Sequence, residues 1–428
     1  MAWDFETDPD YQTQLEWVDE FVRREVEPLD YVLGSPFDVA NTERNRLVRP
    51  LQSEVRKRRL WACHLGPELG GQGYGQLKLA LLNEILGRSN FAPTVFGCQA
   101  PDSGNAEILA HFGTSFQKQR YLAPLLENEI VSCFAMTEPH GGADPKVFTT
   151  TAQPTPGGWL LNGGKWFASN ARFASFFIIM AVTHPDGAPH ERMSMFIVPA
   201  DTPGLRIVHE VGIAEEPGAT HAQLELDAVK VADDHVLGTP GSGFVVAQTR
   251  LGGGRVHHAM RTVGMARRAL DRMCERALSR FTQGSRLADK QLVQEKIADS
   301  WIELEQFRLL VLRTAWLIDK HNDYRKVVKD IAAVKAAMPK VLHDIAARAL
   351  HLHGSLGVSR DMPFAHQVIW SFVVGLADGP TEVHKITVAK QVLRQYHASP
   401  TAFPSYFRPH AAEAAKRKLQ DTGSAEPG

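Results

Sequence analysis

The residues able to do chemistry fall in a few short stretches that lie far apart along the chain. Phe134-Ala-Met-Thr-Glu-Pro-His-Gly-Gly-Ala-Asp144 is a polar, glycine-rich segment in which several backbone N–H groups are free to face an electron-rich ligand. Lys165-Trp-Phe-Ala-Ser-Asn170 follows, and its Trp166 is able to cover an aromatic ring. Arg280, Thr282 and Gln291 come much later, then Gly354-Ser-Leu-Gly357, then Asp378-Gly-Pro380. A carboxylate partly withdrawn from water gains basicity and can take a proton from carbon, which is the chemistry open to Asp378; its other reading is an ordinary Asp-Gly turn. His257 and His258 adjoin on a helical stretch, where such a pair is more often structural, and nothing supplies the third ligand of a metal site.

The elements that must position these residues change period twice. Up to about residue 131 the chain reads as helices: Leu15, Val18, Phe21, Val22 and Val26 share one face, and LKLALLNEILGR from Leu77 is similarly apolar. A glycine-rich loop, LGPELGGQGYGQ, precedes that second helix. From 132 to 245 the period becomes strand-like, with FFIIMAV, MSMFIVPA and AQLELDAVKV separated by turn residues, and Asn162-Gly163 predicts a hairpin turn. From 246 to 397 long helices return. Leu292, Ile297, Trp301, Leu304, Phe307, Val311, Thr314 and Ile318 form one stripe, and Ile331, Val334, Met338, Val341 and Ile345 another. Helices this long and this apolar pack in a bundle or across a subunit interface. Residues 398–428 are expected to be a peripheral or disordered tail.

Composition narrows the function classes. A chain of 428 residues holds two or three domains, and 47 Lys plus Arg against 48 Asp plus Glu give no electrostatic pull toward nucleic acid or an anionic membrane. The opening MAWDFETDPD matches neither a secretory signal nor an Arg-rich transit peptide, and no apolar run approaches the ~18 residues a membrane helix needs. Cys63, Cys98, Cys133 and Cys274 are scattered, as in a reduced intracellular protein. The expectation is a cytoplasmic protein with no membrane or nucleic-acid partner.

In this order, with a β zone between two helical ones, the motifs resemble the acyl-CoA dehydrogenase family from about residue 10 to 396. The resemblance is closest to the branch called members ten and eleven in mammals, with bacterial relatives. That branch carries the run seen here as GGGRVHHAMRTVGMARRAL, and its acidic residue lies in an Asp-Gly-Pro turn, here within LADGPTEVHK from Leu376 to Lys385. The fold class implied is α+β, with an N-terminal α-helical domain, a central β-barrel-like domain and a C-terminal four-helix bundle. The activity implied is FAD-dependent α,β-dehydrogenation of an acyl-CoA in fatty acid β-oxidation, with electrons passed to an electron-transferring flavoprotein.

Site roles follow from the resemblance by position. The stretch with Phe134, Met136, Thr137, Gly142 and Ala143 would wrap the flavin, and Asp144 would lie toward the substrate. Trp166 would cover one flavin face, with Phe167, Ala168 and Ser169 along N5. Arg280, Thr282 and Gln291 would reach the FAD of a neighbouring subunit, making the protein a homodimer or homotetramer, and His351, Gly354 and Ser355 belong to the same cofactor set. Asp378 would be the base that removes the α-proton; Pro380 and Glu382 would contact FAD. Gly379 would leave room for the thioester, and Arg255 and His258 would adjoin the acyl-CoA. Some relatives carry their base on the helix beside Arg255, but the residue there is Gly254.

The sequence departs from the family at several of these positions. Ala168 stands where a Ser or Thr is common, His351 replaces a Gln, Ser355 a Gly and Ala143 a Ser. Asp378 itself is one methylene shorter than the usual Glu, so the turn or the substrate must sit closer. Two alternatives stay open: an oxidase resembling nitroalkane oxidase, which also uses an Asp base, and a non-catalytic scaffold that binds partners.

Overall fold

The computed structural model describes residues 5–69, 71–213 and 220–423. Seven helices open the chain: α1 (Pro9–Phe21), α2 (Thr42–Lys57), α3 (Gly75–Leu86), α4 (Ala92–Val95), α5 (Asp102–Phe112), α6 (Ser115–Gln117) and α7 (Ala123–Leu126). The Asp8 side chain caps α1 by accepting from the Tyr11 N–H. Leu15, Val18, Phe21, Val22 and Val26 are all buried, as their spacing predicts. The helix widens into a π turn over Val22–Val26, and both valines stay buried. The N-terminus of α3 is capped from a distance: the Asp319 carboxylate accepts from Gln76 N (2.6 Å) and Leu77 N (2.8 Å), tying the N-terminal helices to the bundle.

The middle of the chain forms β1 (Ser132–Ala135), β2 (Thr151–Thr155), β3 (Gly158–Ser169), β4 (Phe176–Val182), β5 (Met193–Pro199), β6 (Leu205–Val211), β7 (His221–Ala232) and β8 (Val236–Leu237). They make one sheet in the order β6-β7-β3-β2-β4-β5-β8, with β1 parallel to β4. Strand β4 is buried along its whole length, so its residues serve two cores. Phe176, Ile178, Met180 and Val182 pack on helices, while Phe177, Ile179 and Ala181 face an interior shared with β1, β2, β3, β5, β7 and β8.

Asn162-Gly163 is not the predicted hairpin. Strand β3 runs straight through it, and the pairing with β7 shifts register between Leu161 and Gly163. Gly163 has φ 141°, and a Cβ there would lie 2.7 Å from Thr150 Cα; Asn162 Oδ1 accepts from the Ala228 N–H at 2.8 Å. The residue pair that favours a tight turn also suits a β-bulge, because both need unusual backbone at the glycine. The turn falls earlier, between β2 and β3 at Gly157 (φ 78°).

The remaining helices are α8 (Gly243–Ser279), α9 (Gln291–His321), α10 (Val328–His353), α11 (Phe364–Leu376), α12 (Thr381–Leu393) and α13 (Arg408–Gly423), with a small hairpin, β9 (Phe281–Thr282) and β10 (Ser285–Arg286), after α8. Helix α10 lies in the middle of the bundle, against α8, α9, α11 and α12. One apolar core joins this bundle to α1, α2 and α3. In the two stripes read from sequence, Leu304, Phe307, Val311, Thr314 and Ile318 are buried, as are Ile331, Val334, Met338 and Ile345, but Leu292 and Trp301 are 72% and 55% exposed. The tail differs from a wholly irregular segment: α13 forms there, and its residues 408–420 are exposed.

Helix α8 is held tightly against α3 because two glycines meet where they cross. A Cβ on Gly264 would sit 2.0 Å from Glu84 O, and one on Gly87 2.0 Å from Arg261 O. Neither clash is with a side chain that can move aside. Gly264→Val therefore costs about 1–3 kcal/mol of stability through overpacking, read as a lower thermal unfolding midpoint; an unchanged midpoint contradicts the packing described.

Candidate active site

Helix α11 ends at Leu376, and α12 begins three residues after Asp378, so the carboxylate sits in a tight turn between them. Asp378 adopts φ 55° and Gly379 φ 102°, both in the left-handed half of backbone space, which Asp tolerates better than most side chains. The turn is pinned from several directions. Arg255 Nε donates to Asp378 O at 2.9 Å, and His384 Nε2 donates to the same carbonyl at 3.3 Å. Thr381 Oγ1 donates to Gly375 O at 3.1 Å, and buried Lys335 donates to Val374 O. A Cβ on Gly379 would lie 3.0 Å from His384 Nε2, so glycine fits that position on both conformational and steric grounds.

So anchored, the side chain of Asp378 points at α8. Its Oδ2 lies 3.7 Å from His258 Nε2, and 3.7 Å from where a Cβ on Gly254 would be. Burial alone would raise its carboxyl, but His258, Arg250, Arg255 and Lys335 hold it below the ordinary carboxylate value. Burial pushes His258 down to about 4, so this imidazole is neutral near pH 7. The charges that keep Asp378 ionised there belong to Arg250 and Arg255, with Lys335, itself lowered to about 8 by burial, behind them.

Several of these groups escaped the sequence reading. Arg250 donates from Nε to Asn105 Oδ1 at 2.9 Å and lays its guanidinium 4.0 Å above the Phe134 ring. Asn105 in turn donates to Ser132 Oγ (2.8 Å), and Asp102 Oδ1 accepts from Ser132 N (2.8 Å) and Oγ (2.6 Å). Burial raises Glu107 to about 7. Its Oε2 and the Tyr324 hydroxyl lie 3.1 and 3.3 Å from the Cβ position of Gly253. The signal was present in the sequence: Gly252-Gly253-Gly254 inside a helix costs ~1 kcal/mol of helix propensity per glycine, a cost that marks a place where other groups must approach.

Arg250, whose charge acts on Asp378, connects this turn through the Phe134 ring to the segments expected around a flavin. Phe134 is on β1, and Trp166 N–H donates to Thr137 O at 2.9 Å, so the two motifs meet edge to edge. Gly142, Ala143 and Asp144 are exposed, and the Asp144 carboxylate accepts from Lys146 N at 3.1 Å. The β3–β7 pairing slips between Lys165 and Ala168; Phe167 there has φ 50° and stays 44% exposed, 5.3 Å from the Trp166 ring. Ser169 is half-buried, whereas Ala168 turns its methyl into the sheet interior, leaving only its backbone toward the cleft. Pro380 and Glu382 begin α12 beside Asp378.

A second group of expected cofactor residues stands apart. Arg280, Gln291, His351, Gly354 and Ser355 are exposed and Thr282 is half-buried. Arg280 follows the last residue of α8, about 39 Å along the helix from Gly254 at 1.5 Å per residue. One chain therefore does not bring Arg280 to its own Asp378. Among the described residues no group of three or more His, Cys, Asp or Glu could hold a metal ion, and no helix is long and apolar enough to cross a membrane.

Models of the acyl-CoA dehydrogenase N-terminal, middle and C-terminal domains match residues 8–129, 133–229 and 241–393. The chain belongs to the acyl-CoA dehydrogenase family. It is 39% identical over 354 residues to the probable acyl-CoA dehydrogenase FadE2 of Mycobacterium tuberculosis, which covers 81% of this chain and 86% of the relative. Acyl-CoA dehydrogenase family member 10 of Mus musculus is 36% identical over 388 residues, covering 88% of this chain but 36% of the relative, so the chain spans about a third of that protein's length. A putative acyl-CoA dehydrogenase from Mycobacterium abscessus superposes with a TM-score of 0.84 at 35% identity, over 92% of this chain and 100% of that one. The branch is thus the one that the GGGRVHHAMRTVGMARRAL run resembles.

This acyl-CoA dehydrogenase family member is an FAD-dependent oxidoreductase. Its own residues fit that cofactor. Two adjoining aromatics are kept near the surface by a bulge, one in strained backbone, beside the Gly141-Gly142 turn. A flat ring laid there would cover them.

Burial depresses four histidines near this cleft: His64 to about 3, His258 and His384 to about 4, and His257 well below its ordinary value. Unfolded, each titrates near 6.5 and binds protons that the folded state refuses. Stability from these groups is therefore complete above pH 6.5 and lost as pH falls toward 4. Glu107 and Asp102, raised to about 7 and 6, oppose this as pH falls, so the test is a comparison. The urea midpoint of a Glu107→Gln variant should drop more steeply between pH 6.5 and 5 than that of the wild type. A midpoint that rises in the variant as pH falls contradicts the burial of the histidines.

Proposed function

We propose that the protein dehydrogenates an acyl-CoA thioester between Cα and Cβ, with Asp378 as the base that takes the α-proton. The observation that carries this reading is a largely buried, ionised carboxylate fixed at a turn and facing the gap left by Gly254, linked through Arg250 to the Phe134 segment. Bound FAD supplies the acceptor for the β-hydride. The chain does the rest. Arg255 and His384 hold the backbone of Asp378, so its side chain keeps one approach to the α-carbon. Gly254, where relatives can carry a carboxylate, offers none here, and the other carboxyl at this gap, Glu107, is raised to about 7 by burial. Short as it is, the Asp378 side chain reaches α8, with Oδ2 3.7 Å from His258 Nε2.

The resemblance implies long or hydroxylated acyl chains for this branch. Glu107, Tyr324 and Arg250 line the same gap and favour a chain bearing a hydrogen-bonding group over a plain alkyl chain. We infer further that the active unit is a homodimer or homotetramer. Arg280, about 39 Å along α8 from Gly254, is too far to serve its own chain's site. Thr282, Gln291, His351, Gly354 and Ser355 are the other positions expected at a neighbour's cofactor, and Phe281, Leu292 and Trp301 are exposed apolar residues suited to a second copy. Electrons then leave to an electron-transferring flavoprotein, in the cytoplasm.

The test is anaerobic addition of an acyl-CoA panel to FAD-loaded protein, following loss of flavin absorbance. Some thioester should bleach the wild type, and Asp378→Asn should slow that bleaching by about 10⁴-fold or more, the upper range for loss of a general base. Bleaching by nitroalkanes and by no thioester would move the assignment to an oxidase of the nitroalkane type. Because Asp378 is held below the ordinary carboxylate value of about 3.9, kcat/KM of a Glu107→Gln variant, which removes the neighbouring carboxyl raised to about 7, should stay flat from pH 7 to 5. An acid limb centred near neutrality would contradict its charge partners.

A further inference from the structure

Thr137 and Trp166, the two positions that meet edge to edge beside the flavin cleft, each have a charged neighbour in the chain that does not face the cleft at all. Glu138 follows Thr137 and Lys165 precedes Trp166, and their side chains are 1% and 0% exposed. Lys165 Nζ donates to Glu138 Oε1 at 2.8 Å and to Met136 O at 3.0 Å. It also lies 4.9 Å from the centre of the Phe148 ring. Glu138 Oε1 accepts from Thr150 N (3.1 Å), and Oε2 from Thr149 N (2.7 Å) and Thr149 Oγ1 (3.1 Å). His140 Nε2 is 3.5 Å from Oε2. Two side chains thus tie together three segments: the 136–138 turn, the 149–150 approach to β2, and β3 just before its bulge.

Stability does not explain keeping this pair. An apolar pair of the same volume would often do as well, because burying two charges costs about as much as their attraction returns. Burial lowers Lys165 to about 8, a sign that the site disfavours the charge it holds. What an apolar pair cannot supply is direction: the ammonium and carboxylate fix the distance and register of three backbone segments by hydrogen bonds.

We propose that the buried Glu138–Lys165 pair is the positioning device of the flavin site, setting the spacing of the Thr137 and Trp166 segments and through it the affinity and potential of the bound flavin. Neither side chain touches the cofactor; both act through their neighbours.

The test compares wild-type holoprotein with Glu138→Asp and with the double variant Glu138→Gln/Lys165→Met. Glu138→Asp keeps the charge and withdraws it by one methylene. The double variant removes both charges, so neither is left buried without its partner. Three quantities are read: thermal unfolding, FAD retained on ultrafiltration, and the flavin's midpoint potential with its absorption spectrum. Unfolding should stay near the wild-type value in at least one variant. FAD affinity should nevertheless fall roughly tenfold or more, the scale at which outer-shell partners act, with a shifted potential and band shape. A variant that folds and holds FAD with wild-type affinity, potential and spectrum overturns the proposal. A wild type that carries no FAD would contradict the cofactor instead, and so is distinguished from failure of the pair.

Discussion

Keeping an ionised carboxylate inside a protein is the constraint on which the rest of this structure turns. Little water reaches Asp378, whose side chain keeps 17% of its surface exposed, so neighbouring positive charge has to compensate or the group would take up a proton. The charges come from two helices, Arg250 and Arg255 on α8 and Lys335 on α10, and the turn itself joins two more, α11 and α12. All four must converge within a few ångströms. That requirement accounts for the central place of α10 and for the hydrogen bonds to the Asp378 and Val374 carbonyls.

The same helix must also leave space. Gly252, Gly253 and Gly254 strip α8 of side chains where Tyr324, Glu107 and Asp378 approach it. Their cost in helix propensity is offset by packing along the rest of this 37-residue helix, most of whose inward residues are fully buried. The sheet contributes the opposite wall. There, a bulge in β3 turns Trp166 and Phe167 outward while their flanking residues, Lys165 and Ala168, stay inside. Arg250 spans the two walls, between the Phe134 ring and Asn105.

Much of this was legible in the sequence, for identifiable reasons. The apolar faces of α1 and α10 follow the helical period because burial selects them, and Asp378 stands out because its Asp-Gly-Pro turn sits among ordered motifs. Arg250, Glu107 and Lys335 were invisible because a single charge in an amphipathic helix reads as solvent-facing; only partners from far along the chain make burial tolerable. Asn162-Gly163 misled because local backbone preference cannot distinguish a bulge from a turn; the strand partner, β7, decides. Leu292 and Trp301 share the helical period of their stripe but stay exposed, because period marks a face and not what packs on it.

The central claim, that Asp378 removes a proton from the carbon beside the thioester, is tested most directly by exchange. A saturated acyl-CoA that binds the protein is incubated in D2O with the wild type and with Asp378→Asn, and the recovered thioester is weighed by mass spectrometry. Deuterium at Cα with the wild type and none with the variant is the predicted result. Equal exchange by both would contradict the assignment of the base.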